Sequence, residues 1–314
     1  MLNRRQLRVK VMQTLYAMHL SGSDNLNSQK KFLNKSMEDM EILYYLLIDL
    51  LYQLHVLHED QYQKTLKKHI PVESDKFISK KFLNNAVLNL VRNSEVLAEK
   101  TTSLKSNFWK SHEEYVRLIY DKVIASDCYL QYIQSTETDF NKDKEFIATL
   151  YSEVIAPDEK LYEFLEDNNL TWIDDLPLVN TFLLRQIKSL TPAKPDNKLI
   201  IKLFKDEDDR KFAMELLEKV ALNAVDFDKE IEGHTPNWDK DRIAEVDTVL
   251  IRMALCEFLK FPSVPTRVTI NEYIEIAKEY ATPKSSIFLN GLLDTLEKKY
   301  QKENRIQKVG RGLL

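Results

Sequence analysis

The chain has 314 residues, of which 44% are hydrophobic and 30% charged, and its 45 basic and 49 acidic residues give a net charge of −4. This composition is typical of a folded globular protein and argues against a disordered one. Only 5 glycines are present, where average usage would give roughly 22, and none falls in a GxGxxG or GxxxxGK pattern. Nucleotide-dependent and methyl-transferring enzymes are therefore disfavoured, because their phosphate-binding loops need glycine backbone close to the ligand.

The cysteines and apolar runs indicate the compartment. Cys128 and Cys256 lie in amphipathic stretches and do not form the disulfide framework of a small secreted protein. The longest apolar run, Ile42 to Leu54, is interrupted by Asp49 and is too short to span a bilayer. The N-terminal segment is cationic but lacks the apolar stretch of a signal peptide. We therefore expect a cytoplasmic protein without membrane contact.

Helical periodicity recurs along the whole chain and predicts the all-α class. The first predicted helix covers about residues 3–20, and its apolar stripe is Leu7, Val11, Leu15 and Met18. Further helices are predicted over residues 30–70, 77–99, 112–134 and 142–154, from Pro157, and after the turn at residues 167–169. Two prolines make Thr191–Asn197 the clearest linker.

After the linker, helices are predicted over residues 210–223 and 242–261, around 269–280, and from Pro283 to about residue 300. Thr269 and Glu272 have the spacing of a capping box, in which the two side chains satisfy each other's backbone amides. Thr282 is the predicted N-cap of the last helix, and Pro283 lies in its first turn.

The first helix is the strongest candidate binding element. It carries Arg4, Arg5, Arg8 and Lys10 and contains no Asp or Glu. The spacing of Arg5 and Arg8 predicts a cationic edge beside the apolar stripe. Guanidinium groups pair bidentately with phosphate oxygens, so this edge suits RNA or DNA. The alternative is that these cations only keep the helix soluble.

Other candidate sites carry less signal. His55, His58 and Glu59 have helical spacing that could bring metal ligands to one face, but no further ligand pattern supports them. We therefore interpret them as surface or boundary residues of a long helix. The acidic run Asp206–Asp209 directly precedes a helix, where negative charge is favourable without any catalytic role.

Two separated segments, residues 4–24 and 238–294, resemble the NusB family of bacterial transcription antitermination factors. The shared features are Arg-x-x-Arg and a following Leu-Tyr in the first helix, then DRI…VD…IRMA…E, VP…INE…AK and FLNG downstream. The resemblance implies a pair of small helical bundles, enlarged here by an inserted helical region. The expected organisation is a first core helix over 1–24, an insertion over 25–205, the remaining core over 206–300 and a basic tail over 301–314.

The resemblance also implies a function. NusB-like proteins bind the boxA element of ribosomal RNA leaders together with NusE, a ribosomal protein, and so help RNA polymerase to resist termination. They are adaptors that need no cofactor or metal and are not enzymes. Carried over by position, the residues implied to contact RNA are Arg4, Arg5, Arg8, Lys10, Lys284, Ser285 and Phe288. Those implied to face the protein partner are Tyr16 and Asp247.

Several family matches are better explained by packing. We expect Gly291 to allow close helix approach, Arg252 and Glu257 to orient helices, and Trp238 to pack over Ile243 and Leu250. Two alternatives stay open for the function. One is a NusB-fold scaffold that binds proteins without RNA; the other is a fragment of an RNA methyltransferase, which the missing glycine-rich cofactor loop and catalytic cysteine motif disfavour.

Overall fold

A computed structural model describes residues 2–68, 70, 73–105, 108–192, 198–234 and 244–313. Within these residues the helices are α1 (Arg4–Ser21), α2 (Leu26–Leu66), α3 (Lys80–Leu83), α4 (Ala86–Asn93), α5 (Glu95–Lys105), α6 (Glu113–Ala125), α7 (Asp127–Gln134), α8 (Phe140–Leu150), α9 (Glu159–Asn168), α10 (Trp172–Lys188), α11 (Glu207–Leu222), α12 (Ala224–His234), α13 (Glu245–Lys260), α14 (Thr266–Tyr280) and α15 (Pro283–Lys302). The β-type pairing of these described ranges is one isolated parallel bridge, between Leu2 and Phe204. The all-α prediction is confirmed.

The chain forms two compact units. The terminal unit comprises Met1–Met37 and Leu203–Leu314, and the central unit comprises Glu38–Lys202. The division therefore falls within α2. Most of the predicted linker Thr191–Asn197, together with Trp238 and Ile243, lies outside the described residues.

Both ends of α1 follow from local sequence. Asn3 accepts hydrogen bonds from the backbone amides of Arg5 and Gln6, at 2.8 and 3.1 Å, and the Gln6 side chain accepts one from the Asn3 amide at 3.2 Å. This reciprocal arrangement is a capping box. Gly22 ends the helix with φ +62°, a left-handed conformation that glycine adopts without steric cost. The apolar residues Leu7, Val11 and Leu15 are buried, as their spacing predicts.

The terminal unit is organised around α13. This helix packs against α1, α11, α12, α14 and α15. Burial extends around most of its circumference, which is expected of a central helix; the buried apolar residues are Val249, Leu250, Ile251, Met253, Ala254, Leu255, Cys256 and Phe258. Burial raises the pKa of the Cys256 thiol to about 12, so it stays protonated as a small core residue.

The central unit is built on the C-terminal part of α2. By length and composition α2 could cross a membrane, but a buried core helix passes the same test, and 61% of its most apolar window is buried in the protein. Two indole groups fasten other segments to it. Trp109 Nε1 donates to the Leu46 carbonyl and Trp172 Nε1 to the Asp39 carbonyl, both at 2.8 Å.

Several predicted boundaries are wrong. The helix predicted over 77–99 breaks into α3, α4 and α5, because Asn85 and Ser94 begin new helices. The helix predicted over 112–134 ends at Ser126, whose side chain accepts from the Tyr129 amide and starts α7. Short polar residues compete with helix continuation in this way. The close approach expected at Gly291 is also wrong, since this residue is exposed and an added Cβ would meet no atom within 4 Å.

His55 and His58 are core residues, which corrects their expected surface or boundary position. They are only 1% and 0% exposed. His58 Nε2 donates to the Ser79 carbonyl at 3.0 Å, and Nδ1 accepts from the Tyr120 hydroxyl at 2.9 Å. His55 Nε2 donates to the Leu83 carbonyl at 3.0 Å. No cluster of three or more potential metal ligands occurs in the part of the chain described.

We expect the central unit to lose stability in acid through His58. Burial lowers its pKa from 6.5 to about 4, so the unfolded chain binds the proton more tightly than the folded one. The stabilisation is therefore complete above pH 6.5 and lost as the pH falls towards 4, by on the order of 3 kcal/mol. Thermal unfolding followed by tryptophan fluorescence, to which Trp109 and Trp172 of the central unit contribute, measures this loss.

His58→Gln is the matched variant, because glutamine keeps an N–H donor for the Ser79 carbonyl but does not titrate. It should lose less stability than the wild type across the same pH interval. Equal losses in the two proteins would show that His58 does not carry the effect.

Candidate nucleic-acid interface

A buried ion pair joins α1 to α13. Arg8 Nε and Nη2 donate to the two carboxylate oxygens of Glu257 at 2.7 and 2.8 Å. The two side chains are 2% and 0% exposed. The pKa of Arg8 is raised by Glu257 despite the opposing effect of desolvation. Two parallel bonds of this type fix both distance and orientation between the helices.

The Glu257 carboxylate is satisfied from a third helix. The Tyr273 hydroxyl donates to Oε1 at 2.7 Å, and the Thr269 hydroxyl donates to Oε2 at 3.0 Å. Thr269 therefore lies inside α14, facing the core, and the predicted capping box with Glu272 is wrong. The expectation that Glu257 orients packing is confirmed, as it is for Arg252, which pairs with Asp228 at 2.7 and 2.9 Å.

The first two arginines of α1 lie nearer the surface. The Arg4 side chain is 42% exposed and its Nε donates to Asp209 at 3.0 Å. The Arg5 side chain is 37% exposed, and its Nε and Nη2 donate to the two oxygens of Glu272 at 2.9 and 3.0 Å. The hydrogen bonds from Arg5 to Glu272 raise the pKa of this guanidinium. These carboxylates offset the cost of cations at the positive end of the α1 dipole.

A groove of about 660 Å³ runs along these residues. One wall is the start of α1, from Asn3 to Arg8, and the other is formed by the segment Ser263–Pro265 with Val268 and Glu272. An open groove with two half-exposed guanidinium groups at its edge can receive an extended, negatively charged chain.

Two cations of α1 do not lie on an exposed edge, contrary to expectation. Arg8 is 2% exposed and Lys10 is 3% exposed. Arg8 is directed to Glu257 because it shares the inward side of the helix with Leu7 and Val11, which are both fully buried. As they lie here, neither Arg8 nor Lys10 is accessible to RNA.

The second group of predicted residues lies elsewhere in the terminal unit. Ser285 Oγ donates to Asp247 Oδ2 at 2.8 Å. Asp247 precedes Glu257 by ten residues on α13, which corresponds to about 15 Å along the helix axis. Ser285 and Asp247 are 3% and 5% exposed, and burial raises the pKa of Asp247. The structure therefore brings these two residues together, but directs them to each other rather than to the surface.

Besides Arg4 and Arg5, three predicted residues remain accessible. Lys284 is exposed in the first turn of α15, while Phe288 and Tyr16 are half-buried. The Asp247–Ser285 hydrogen bond fixes the start of α15 against α13 and thereby the position of Lys284. The predicted RNA-contacting set is thus divided between two parts of the terminal unit.

Residues of the basic tail, 301–314, also make contacts within the terminal unit. Arg305 pairs with Glu230 at 2.7 Å, and Lys308 Nζ donates to the carbonyls of Glu257 and Phe261 at 2.9 and 3.0 Å. Glu257 lies in the last turn of α13 and Phe261 is its C-cap, a position where a cation is favourable. Burial lowers the pKa of Lys308 to about 8.

Sequence reasoning missed the acidic partners of the first helix. A helix with three arginines and no acid of its own needs carboxylates from elsewhere. One signal was available, since Glu257 is a lone acid inside the apolar run from Val249 to Phe258. Asp209 and Glu272 lie among other charged residues and gave no comparable signal.

Comparison with known proteins agrees with this organisation. The sequence model of the NusB family matches residues 181–298. The transcription antitermination protein NusB of Salinibacter ruber is 41% identical over 114 residues, which are 36% of this chain and 71% of that protein. The chain belongs to the NusB family. The NusB proteins of Chloroherpeton thalassium and Koribacter versatilis are 42% and 37% identical, over 33% and 32% of this chain and 49% and 68% of those proteins. No solved structure matches the chain.

The family match agrees with the architecture. It contains α11 to α14 and most of α15, and therefore Glu257 with its hydroxyl donors Thr269 and Tyr273, whereas α1 with Arg8 precedes the matched residues. The chain is about three times as long as the aligned segments, so it is a NusB-family protein with a large additional helical part.

We expect Arg8→Met to destabilise the terminal unit strongly. Removing the guanidinium leaves the Glu257 carboxylate buried with only hydroxyl donors, a change that costs about 3–5 kcal/mol. Arg5→Met is the matched control and should cost less than about 1 kcal/mol, since its pair with Glu272 is partly solvated. Urea unfolding measures both values. Equal, small losses would contradict the structural role of Arg8.

Proposed function

We propose that this protein is an RNA-binding transcription antitermination factor that binds a boxA-like ribosomal RNA leader together with NusE. The observation that carries the proposal is the side-by-side position of two accessible arginines, Arg4 and Arg5, at the edge of the groove. Membership of the NusB family supports the antitermination role.

The groove has the chemistry that single-stranded RNA requires. Guanidinium groups bind phosphate oxygens through paired hydrogen bonds. Phosphate contacts position the strand, while bases that leave the stack are read by neighbouring polar and apolar groups. Asn3, Gln6 and Val268 line the same groove and supply such groups. Lys284 and Phe288 form a second, separate contact region in the proposal.

The protein partner would dock near the opposite end of α1. Tyr16 is half-buried there and offers a ring with a polar tip, a residue type enriched at interfaces. The protein would act in the cytoplasm as an adaptor and not as an enzyme, and its effect on RNA polymerase would pass through the RNA and NusE.

One observation favours the alternative of a scaffold without RNA binding. Each arginine of the cluster already has a carboxylate partner, namely Asp209 for Arg4, Glu272 for Arg5 and Glu257 for Arg8. If all three pairs are purely structural, the NusB fold would serve protein contacts alone. RNA titrations decide between the two functions.

Arg5→Ala is expected to weaken RNA binding about fivefold to tenfold and to make its salt dependence shallower, because one phosphate contact is lost. Fluorescence anisotropy with a labelled single-stranded leader RNA, measured at several salt concentrations, gives both quantities. Arg117→Ala is the control, since Arg117 is an exposed arginine of α6 in the central unit and its removal makes the same change in charge. Equal affinity in the Arg5 variant and the wild type would favour the scaffold.

Tyr16→Ala is expected to reduce the retention of this protein by immobilised NusE, because a docking ring is removed. Tyr62→Ala is the matched control, a half-buried tyrosine of α2 in the central unit. The RNA affinity of both variants in the absence of NusE should equal that of the wild type. Undiminished NusE binding by the Tyr16 variant would place the partner elsewhere.

A further inference from the structure

The three arginines of α1 are held by carboxylates in three different environments. Arg8 and Glu257 are both buried. Arg4 pairs with Asp209, a largely buried residue that is 9% exposed. Arg5 pairs with Glu272, which is 21% exposed. The three pairs therefore differ in how easily they can be opened.

We infer that Glu272 is an internal competitor for RNA at Arg5, and that RNA binding exchanges this carboxylate for a phosphate. The inference rests on the RNA-binding function proposed above. It assigns to Glu272 the regulation of affinity at that site, and it assigns to Arg5 alone the role of the exchangeable cation.

The geometry allows competition at one edge of the Arg5 guanidinium. Glu272 takes hydrogen bonds from Nε and Nη2, at 2.9 and 3.0 Å, and so occupies one complete edge of the guanidinium. A phosphate binds bidentately through the same type of edge. A carboxylate and a phosphate cannot share it, so a bidentate phosphate contact there requires Glu272 to leave.

Glu272 can separate from Arg5 at a small cost in free energy, because its carboxylate is not left buried and unpaired. It is partly exposed and can be hydrated, and Arg8 Nη1 lies 3.9 Å from its Oε2. A partly exposed pair contributes at most about a fivefold factor to an equilibrium constant. Asp209, in contrast, is buried and also lies in the first turn of α11, and the Arg4 guanidinium stacks on Phe212 at 4.6 Å. Opening that pair would leave a buried carboxylate without its cation.

Glu272 also affects the salt dependence of RNA binding. When a phosphate replaces Glu272, the RNA releases counterions but the freed carboxylate attracts cations again. The net release is smaller than for an arginine without an acidic partner, so the wild type should show a shallower salt slope than a variant that lacks the carboxylate.

The test is Glu272→Gln, studied by anisotropy with a labelled single-stranded leader RNA and with poly(U) as a non-specific probe. We expect the affinity for both RNAs to rise about fivefold, a factor that corresponds to the loss of a partly exposed ion pair. The slope of log K against log salt concentration should become steeper by up to about 0.7. Glu275→Gln is the matched control, because Glu275 lies on the same helix, is hydrogen-bonded to Lys278 and acts on Arg5 only through its charge.

A double-mutant cycle with Arg5→Ala isolates the exchange. The gain from Glu272→Gln must disappear in the Arg5→Ala background. Unchanged or weaker RNA binding by Glu272→Gln, in a protein whose circular dichroism and melting temperature match the wild type, would overturn the inference and identify Glu272 as a positioning residue. An equal gain in Glu275→Gln would overturn it too, since that result is a general charge effect.

Failure of the inference and failure of the proposed function have different signatures. If Arg5→Ala weakens RNA binding but Glu272→Gln does not strengthen it, only the competition is wrong. If the wild type binds neither RNA, and neither substitution changes this, the proposed RNA-binding function is wrong as well.

Discussion

The terminal unit depends on one buried ion pair. Arg8 of α1 and Glu257 of α13 are 249 residues apart in sequence, and each group would be costly to bury alone. Tyr273 and Thr269 complete the carboxylate's hydrogen bonds, so three helices are fixed by one charge. The pair fixes the relative orientation of the helices as well as stabilising a contact that is otherwise apolar, because a bidentate bond tolerates little rotation.

This constraint also sets what the neighbouring arginines can do. Once Arg8 is fixed inward, helical geometry places Arg4 and Arg5 on the rim of the groove, within reach of Asp209 and Glu272. The cationic segment is uniform in sequence, but its arginines differ in the structure: Arg8 is a core residue, Arg4 is a surface residue paired with a buried carboxylate, and Arg5 is held more weakly. A function that needs cations can draw on the last of these without opening the core.

The long central part of the chain is folded on its own apolar residues. Met40, Leu43, Leu47 and Leu51 of α2 are buried, and Trp109 and Trp172 bond to its carbonyls. The helix boundaries were the weakest predictions, because residues such as Asn85 and Ser126 stop or continue a helix according to which donors lie nearby. Periodicity indicates that a segment is helical but does not show where an Asn or Ser side chain will cap it.

The sequence by itself determined the all-α class, the apolar stripe of α1, the NusB resemblance and the position of Pro283 at a helix start, since these depend on local pattern and short motifs. Tertiary structure decided which charges are accessible. Arg5 and Arg8 have the same side chain and lie three positions apart, yet only packing against α13 and α14 exposes one and buries the other. The roles of Glu257 and Glu272 were likewise decided by their distances to those arginines, because a carboxylate's chemistry depends on its neighbours in space.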